Sequence, residues 1–216
     1  MKNLYIYCEG KTEEGFVNEV LCPYLINMSI YTRPIICATK RTKTKKFKGG
    51  VSNYQKFKDE LIILCKQHKN EMVTTMFDYY RLPNNSPGIK DSESNLYKKV
   101  KIIEKEIEAD IGMPNLFFNL MVHEFEGLLF TNILAFQIIA DDNIILQLQS
   151  IKEGFESPEH INDSVDTAPS KRIEALIPGY KKVLDGVDIS KDIGVDAMLA
   201  ECRHFREWVQ RIEQST

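Results

Sequence analysis

Apolar runs of strand length alternate with segments of helical period over the first 122 residues, and few folds accommodate a chain written this way. Leu4-Tyr5-Ile6-Tyr7-Cys8 reads as a buried strand. Residues 12–28 place Phe16, Val17, Val20, Leu21 and Leu25 on one helical face, with Thr12 positioned to cap the helix. A second strand is expected over Pro34–Thr39, and a helix from about Ser52 striped by Tyr54, Phe57, Leu61, Leu64 and Cys65. The third strand, Met72–Phe77, closes on Asp78. A loop rich in Pro, Asn and Gly, Leu82–Gly88, leads into a helix carrying Leu96, Val100, Ile103, Ile107 and Ile111. The fourth strand is predicted over 115–122. A helix in each crossover implies a parallel four-stranded α/β sheet with helices on both faces.

From Glu124 onward the pattern is helical. Leu128–Ile139 reads as a mostly buried helix, Ile144–Phe155 as another, and 156–170 as loop. Thr167-Ala168-Pro169-Ser170-Lys171-Arg172 looks like a helix start with proline in the first turn. The last helix is amphipathic through Val195, Met198, Leu199, Cys202, Phe205, Trp208, Val209 and Ile212. The expected organisation is an α/β core over residues 1–130 and a helical C-terminal region over 131–216, with no linker between them. Five cysteines, an odd number without a close pair, fit a reducing compartment and argue against a zinc site. Glu9 interrupts any secretory leader, and no apolar run reaches membrane-spanning length, so a cytoplasmic protein without membrane contact is expected.

Acids cluster where these strands end. Glu9 and Glu13 follow the first strand, Asp78 the third, and Glu124 and Glu126 the fourth. Ligands of open α/β sheets bind outside the carboxyl ends of the strands. Carboxylates gathered there repel one another, and a hard divalent cation relieves that repulsion. Each motif also has a plainer reading. Glu13 and Glu14 satisfy the preference for acids in a helix's first turn, Asp78 could begin a turn, and Glu126 could be a solvated helix start. In Cys8-Glu9-Gly10-Lys11-Thr12, glycine allows a sharp strand-to-helix turn. Gly10-Lys11-Thr12 is not a P-loop, since Tyr5 stands where the first glycine is needed. Likewise His123-Glu124 opens no zinc-protease helix, because Gly127 holds the second histidine's place. His123 is read as a partner of the acids or a core histidine. Tyr79, Tyr80 and Arg81 could stack on bases or touch phosphate, or serve packing.

The formal charge is −3, yet eight Lys or Arg and no acid lie between Lys40 and Lys58. Lys45, Lys46 and Lys48, interleaved with Phe47 and followed by Gly49-Gly50, are a candidate nucleic-acid contact or a solvated loop. Lys171 and Arg172 could meet phosphate at a helix start or be surface charges.

These motifs, in order, resemble a known family. Glu9-Gly10, Thr12-Glu13, an Asp after the third strand and a later Glu are similar to the TOPRIM domain of topoisomerases, primases and overcoming-lysogenization-defect nucleases. CEGKTEE (8–14), KGGVSNY (48–54), TTMFDYY (74–80), HEFEGLLF (123–130), SPEHIND (157–163), TAPSKRI (167–173) and CRHFREW (202–208) resemble the bacterial TOPRIM-like group called domain of unknown function 4276. The resemblance implies a Rossmann-like TOPRIM core and Mg²⁺- or Mn²⁺-dependent cleavage of DNA or RNA. It also implies a role in anti-phage defence, with an ATPase partner and a possible homo-oligomer. By resemblance Glu9 is the acid/base glutamate or a metal ligand, Glu13 serves a second metal, and Asp78 matches the first Asp of an Asp-x-Asp pair. Tyr80 departs from that pattern, leaving one metal short of a ligand unless Glu124 or Glu126 supplies it. Catalysis is expected from Glu9, Asp78 and Lys171, and nucleic-acid contact from Lys45, Lys46, Lys48, Tyr80, Arg81 and Arg172. Two further readings are a non-catalytic or partner-activated toxin-like subunit, favoured by the incomplete Asp-x-Asp pattern, and another phosphoryl chemistry such as nucleotidyl transfer.

Overall fold

In the computed structural model, which describes residues 2–37, 53–162 and 167–215, strand β1 (Lys2–Cys8) sits between β2 (Ile30–Ile36) and β3 (Met72–Asp78). The spatial order is β2-β1-β3-β4, all pairings are parallel, and β4 (Leu116–Phe117) and β5 (Leu120–Met121) both pair with β3. The class read from the sequence is therefore the one found. Alternate residues of β1 serve opposite layers. Leu4, Ile6 and Cys8 join one apolar core, and Tyr7 joins the other. Helices α3 (Tyr54–Gln67) and α4 (Leu96–Ile111) fill the second layer. The first layer holds the helices after β1 together with the C-terminal region.

The chain leaves β1 towards β2, then crosses back so that β3 lies on the other side of β1. This reversal creates a crevice at the carboxyl ends of β1 and β3, where no helix can cover both strands.

Several local expectations are corrected. Thr12 does not cap the first helix. Gly10 is the N-cap of α1 (Lys11–Phe16), and no side-chain hydrogen bond caps it. Gly10 has φ −159° and ψ −162°, extended backbone that does not demand glycine. The single helix expected over 12–28 passes from α1 through a π turn (Val17–Leu21) into α2 (Cys22–Ile26). Pro23, at the start of α2, has no N–H for the helical ladder, and the wider turn before it accommodates that loss. The second strand begins earlier than predicted, at Ile30, and Ala38 and Thr39 fall outside the described residues.

The fourth strand is split between β4 and β5 without a change of register, since Thr74 pairs with Phe117 and Phe77 with Leu120. Thr75 explains the gap: its hydroxyl donates to Asn119 O (2.7 Å) and accepts from Asn119 N (2.9 Å). The flanking N–H groups of Phe118 and Leu120 donate to Glu108 (2.7 Å) and Glu104 (2.8 Å) on α4. Side chains thus stand in for the backbone ladder.

The buried helix expected over Leu128–Ile139 is two 3₁₀ segments, Phe125–Thr131 and Ile133–Ile138, separated at Asn132. The C-terminal region continues with α5 (Asp142–Glu153), α6 (Pro169–Leu176), α7 (Asp185–Ile193), α8 (Val195–Glu201) and α9 (Arg203–Gln214). The expected last helix therefore breaks at Cys202, which adopts extended backbone. No disulfide joins the five cysteines, and four of them are buried. Among the described residues no helix is long and apolar enough to cross a membrane.

Candidate active site

Five carboxylates enter the crevice from different parts of the chain, each between 2% and 7% exposed. Glu9 follows β1, Glu13 lies in the first turn of α1, Asp78 ends β3, and Glu124 and Glu126 begin the 3₁₀ segment after β5. Backbone amides fix three of them. Asp78 N donates to Glu9 Oε2 (3.3 Å), Phe125 N to Asp78 Oδ1 (3.1 Å), and Ser170 N to Glu124 Oε2 (3.2 Å). The last bond sets the N-terminus of α6, a region of partial positive charge, against Glu124. Glu9, Asp78 and Glu124 therefore form one connected site.

Among the described residues, two cations accompany these acids. Arg81, in the short 3₁₀ turn after β3, places Nη1 3.4 Å from Glu9 Oε1 and Nε 3.8 Å from Asp78 Oδ2. Lys182 Nζ lies 3.0 Å from Glu126 Oε1. Burial pushes the Asp78 carboxyl well above the usual carboxylate range, and the charges of Glu9, Glu13, Glu126 and Glu124 push it further. Burial likewise raises Glu126; Lys182 opposes this and Glu124 adds to it. Burial alone would lower Lys182, but Glu126 and Glu124 outweigh it and hold the ammonium above its ordinary value. The same balance raises Arg81, through Glu9 and Asp78 first. Like charges have been forced together.

The donor set is entirely carboxylate oxygen, the chemistry that Mg²⁺ and Mn²⁺ prefer. Asp78, crowded by four other acids, is the observation that makes a divalent cation fit here. The side chains do not form a ready coordination sphere. Among the described residues no group of three or more His, Cys, Asp or Glu is arranged to hold an ion. Arg81 bridges Glu9 and Asp78 instead.

The remaining expected residues are scattered. Lys171 pairs its Nζ with Glu174 (2.6 Å), and its side chain is 51% exposed. Arg172 donates through Nε to Thr167 O (2.7 Å) and lies over the Phe155 ring. Tyr80 is 38% exposed. Lys45, Lys46, Lys48, Phe47 and Gly49-Gly50 lie outside the described residues. His123 adopts φ +63°, unusual for a residue with a side chain, and its Nδ1 is 3.2 Å from Asn162 Nδ2. Sequence reasoning missed Lys182. The signal available was a lysine pair, Lys181-Lys182, after Gly179 in a short turn. Gly179 has φ +98°, which a residue with a Cβ tolerates poorly, and the turn it permits carries Lys182 to Glu126.

The family model described as "Domain of unknown function (DUF4276)" matches residues 8–213. Comparison with curated proteins finds no match. Among solved structures the chain is similar to the C-terminal region of the Xanthomonas campestris pv. campestris OLD protein, with 15% identity and a TM-score of 0.40, over 99% of this chain and 97% of that one.

Proposed function

The chain belongs to the family described as domain of unknown function DUF4276, and from that premise we propose that it is a TOPRIM-type nuclease. On this reading it hydrolyses phosphodiester bonds of DNA or RNA with a divalent cation. The observation that carries the proposal is the convergence of Glu9, Glu13, Asp78, Glu124 and Glu126 at the switch point of the sheet, with Asp78 pushed far from its ordinary ionisation. Glu9, Asp78 and Glu124 would hold Mg²⁺ or Mn²⁺, with Glu13 and Glu126 beside them. The ion supplies Lewis acidity and an activated water when bound. The backbone amides of Asp78, Phe125 and Ser170 keep the carboxylate oxygens oriented. Arg81 and Lys182, rather than Lys171, are the cations set to face a phosphate once it competes for them. Lys45, Lys46, Lys48 and Arg172 would grip the strand through salt-sensitive contacts. A role in anti-phage defence and a cytoplasmic location are part of this proposal, supported by the family resemblance and the composition.

Arg81 favours a second reading, a subunit silent until a partner acts. Its guanidinium lies between Glu9 and Asp78, and an ion can take both carboxylates only after it withdraws. An ATPase partner would be the device that moves it.

The test is cleavage of single- and double-stranded DNA and RNA with Mn²⁺ or Mg²⁺, by the wild-type chain and by Glu9→Gln. The expected loss in the variant is on the order of 10²-fold or more, with an unchanged circular dichroism spectrum. Equal cutting by the variant rejects the assignment. A wild type that cuts only with an ATPase that co-purifies with it supports the second reading. One that stays inert in both settings rejects both.

A further inference from the structure

The split fourth strand is the last of the sheet, and a cavity of about 220 Å³ opens along it between α4 and α9. It shares no residue with the acid crevice. Pockets for drug-sized ligands begin at roughly 300 Å³, so this volume suits a single ring system. One wall is aromatic. Phe117 and Trp208 belong to the same apolar cluster, and the guanidinium of Arg211 lies 4.9 Å over the Phe117 ring. The indole N–H of Trp208 donates to Thr74 Oγ1, which fixes the ring in place.

The polar groups of the cavity are used unequally. Three acids line it, and all are engaged. Glu104 accepts from Leu120 N and pairs with His204, and Glu108 accepts from Phe118 N and pairs with Arg211. Glu207 pairs with Lys101 and Arg203. Lys105, on the exposed side of α4, forms no ion pair among the described residues. The cavity thus has a spare positive charge and no spare negative one, which selects an anion. Asn119 is the second unused group. Its backbone N–H and C=O both bond to Thr75, but its side-chain amide makes no hydrogen bond among the described residues. Alternation along the strand puts that side chain on the face of Phe117. The residue is 4% exposed, yet both amide atoms stay accessible at the cavity wall. Amides this deep ordinarily find partners; this one offers a donor and an acceptor side by side to a ligand.

We propose that this cavity is a nucleotide site with a preference for adenine. The base lies against Phe117 and Trp208, its N6 amino group and N7 meet the Asn119 amide, and its phosphate reaches Lys105 at the mouth. A free nucleoside monophosphate and an unstacked base of a nucleic-acid strand both supply this chemistry. The inference stands apart from the nuclease reading, since no crevice residue enters it.

Trp208 is the sole tryptophan, so a base stacked on it quenches the only indole emission. Titrations with adenosine monophosphate, uridine monophosphate and inorganic phosphate test the free nucleotide. An adenine-containing oligonucleotide and its abasic counterpart, in Ca²⁺, test the strand. Wild type should show saturable quenching in at least one arm, with adenine favoured over uracil about tenfold and no response to phosphate or the abasic strand. Quenching by the monophosphate assigns the free nucleotide; quenching by the oligonucleotide alone assigns the strand. Asn119→Ala should lose the preference for adenine. Lys105→Ala, at an exposed position that leaves the fold intact, should weaken binding of every nucleotide and lessen its dependence on salt. Absence of quenching in both arms overturns the proposal, as does phosphate binding as tightly as the nucleotide. A folded Asn119→Ala that still prefers adenine overturns it too. Should that variant fail to fold, undiminished binding by Lys105→Ala is decisive against it. A chain that cuts no nucleic acid overturns the nuclease reading alone.

Discussion

His204 begins α9 with its ring 4% exposed and Nε2 2.8 Å from Glu104 Oε1. Its backbone N–H and that of Phe205 donate to the two oxygens of Glu159, each at 2.9 Å. Burial alone would favour the neutral ring, but Glu104, then Glu159 and Glu207, outweigh it and hold His204 above the ordinary histidine value. A raised folded value means that protonation favours the native state. The stabilisation is complete below the unfolded value of about 6.5 and is lost as pH rises through the folded one. The urea midpoint should therefore fall as pH rises above about 6.5, and His204→Gln should flatten that slope. A slope unchanged in the variant would remove His204 as its source. The acids of the crevice were legible one by one, because each follows a strand and strand ends converge in a parallel sheet. Lysines gave no such cue. Lys171 beside Pro169 and Lys182 beyond Gly179 look alike along the chain, and only the return of the α6–α7 turn to Glu126 separates them.

Among the elements, the split fourth strand shows how tertiary hydrogen bonds override a sequence pattern. Residues 115–122 contain no glycine or internal proline, so nothing in the run marks a break. The cause lies elsewhere, in the hydroxyl of Thr75 and the carboxylates of Glu104 and Glu108. Periodicity also found β1, β3, α3 and α4 closely, because each buries one regular face against the sheet. It failed for Phe125–Thr131, where every residue is buried and no face is distinguished. Thr75→Val keeps the side-chain shape and the β-branching but leaves Asn119 N and O without their partner. The expected cost is about 2 kcal/mol, or roughly 4–8 °C in Tm. Calorimetry or urea denaturation measures it, and a variant as stable as wild type would show that the gap closes by ordinary backbone pairing.

Across the whole molecule the C-terminal helices complete the fold that the sheet begins. One apolar cluster runs from Leu4 and Ile6 of β1 through Phe16, Phe125 and Phe205 to Trp208 and Ile212 of α9. Trp208 Nε1 also donates to Thr74 Oγ1 on β3 at 2.9 Å, a buried bond across 134 positions of sequence. Ser170 of α6 and Lys182 beyond it bring the same region to the crevice, so the site depends on both halves of the chain. A helical region with its own core could melt first; one that shares its core with the sheet has no separate interior to retain. Unfolding is therefore expected to be a single transition. Trp208 is the sole tryptophan, so its fluorescence reports the docking of α9 on the sheet, whereas far-UV circular dichroism reports all the helices. The two curves should superimpose in urea, with cleavage activity lost along the same curve. If the tryptophan signal changes at lower urea than the dichroism, α9 leaves the sheet independently, and the helical region is a detachable cover rather than part of the core.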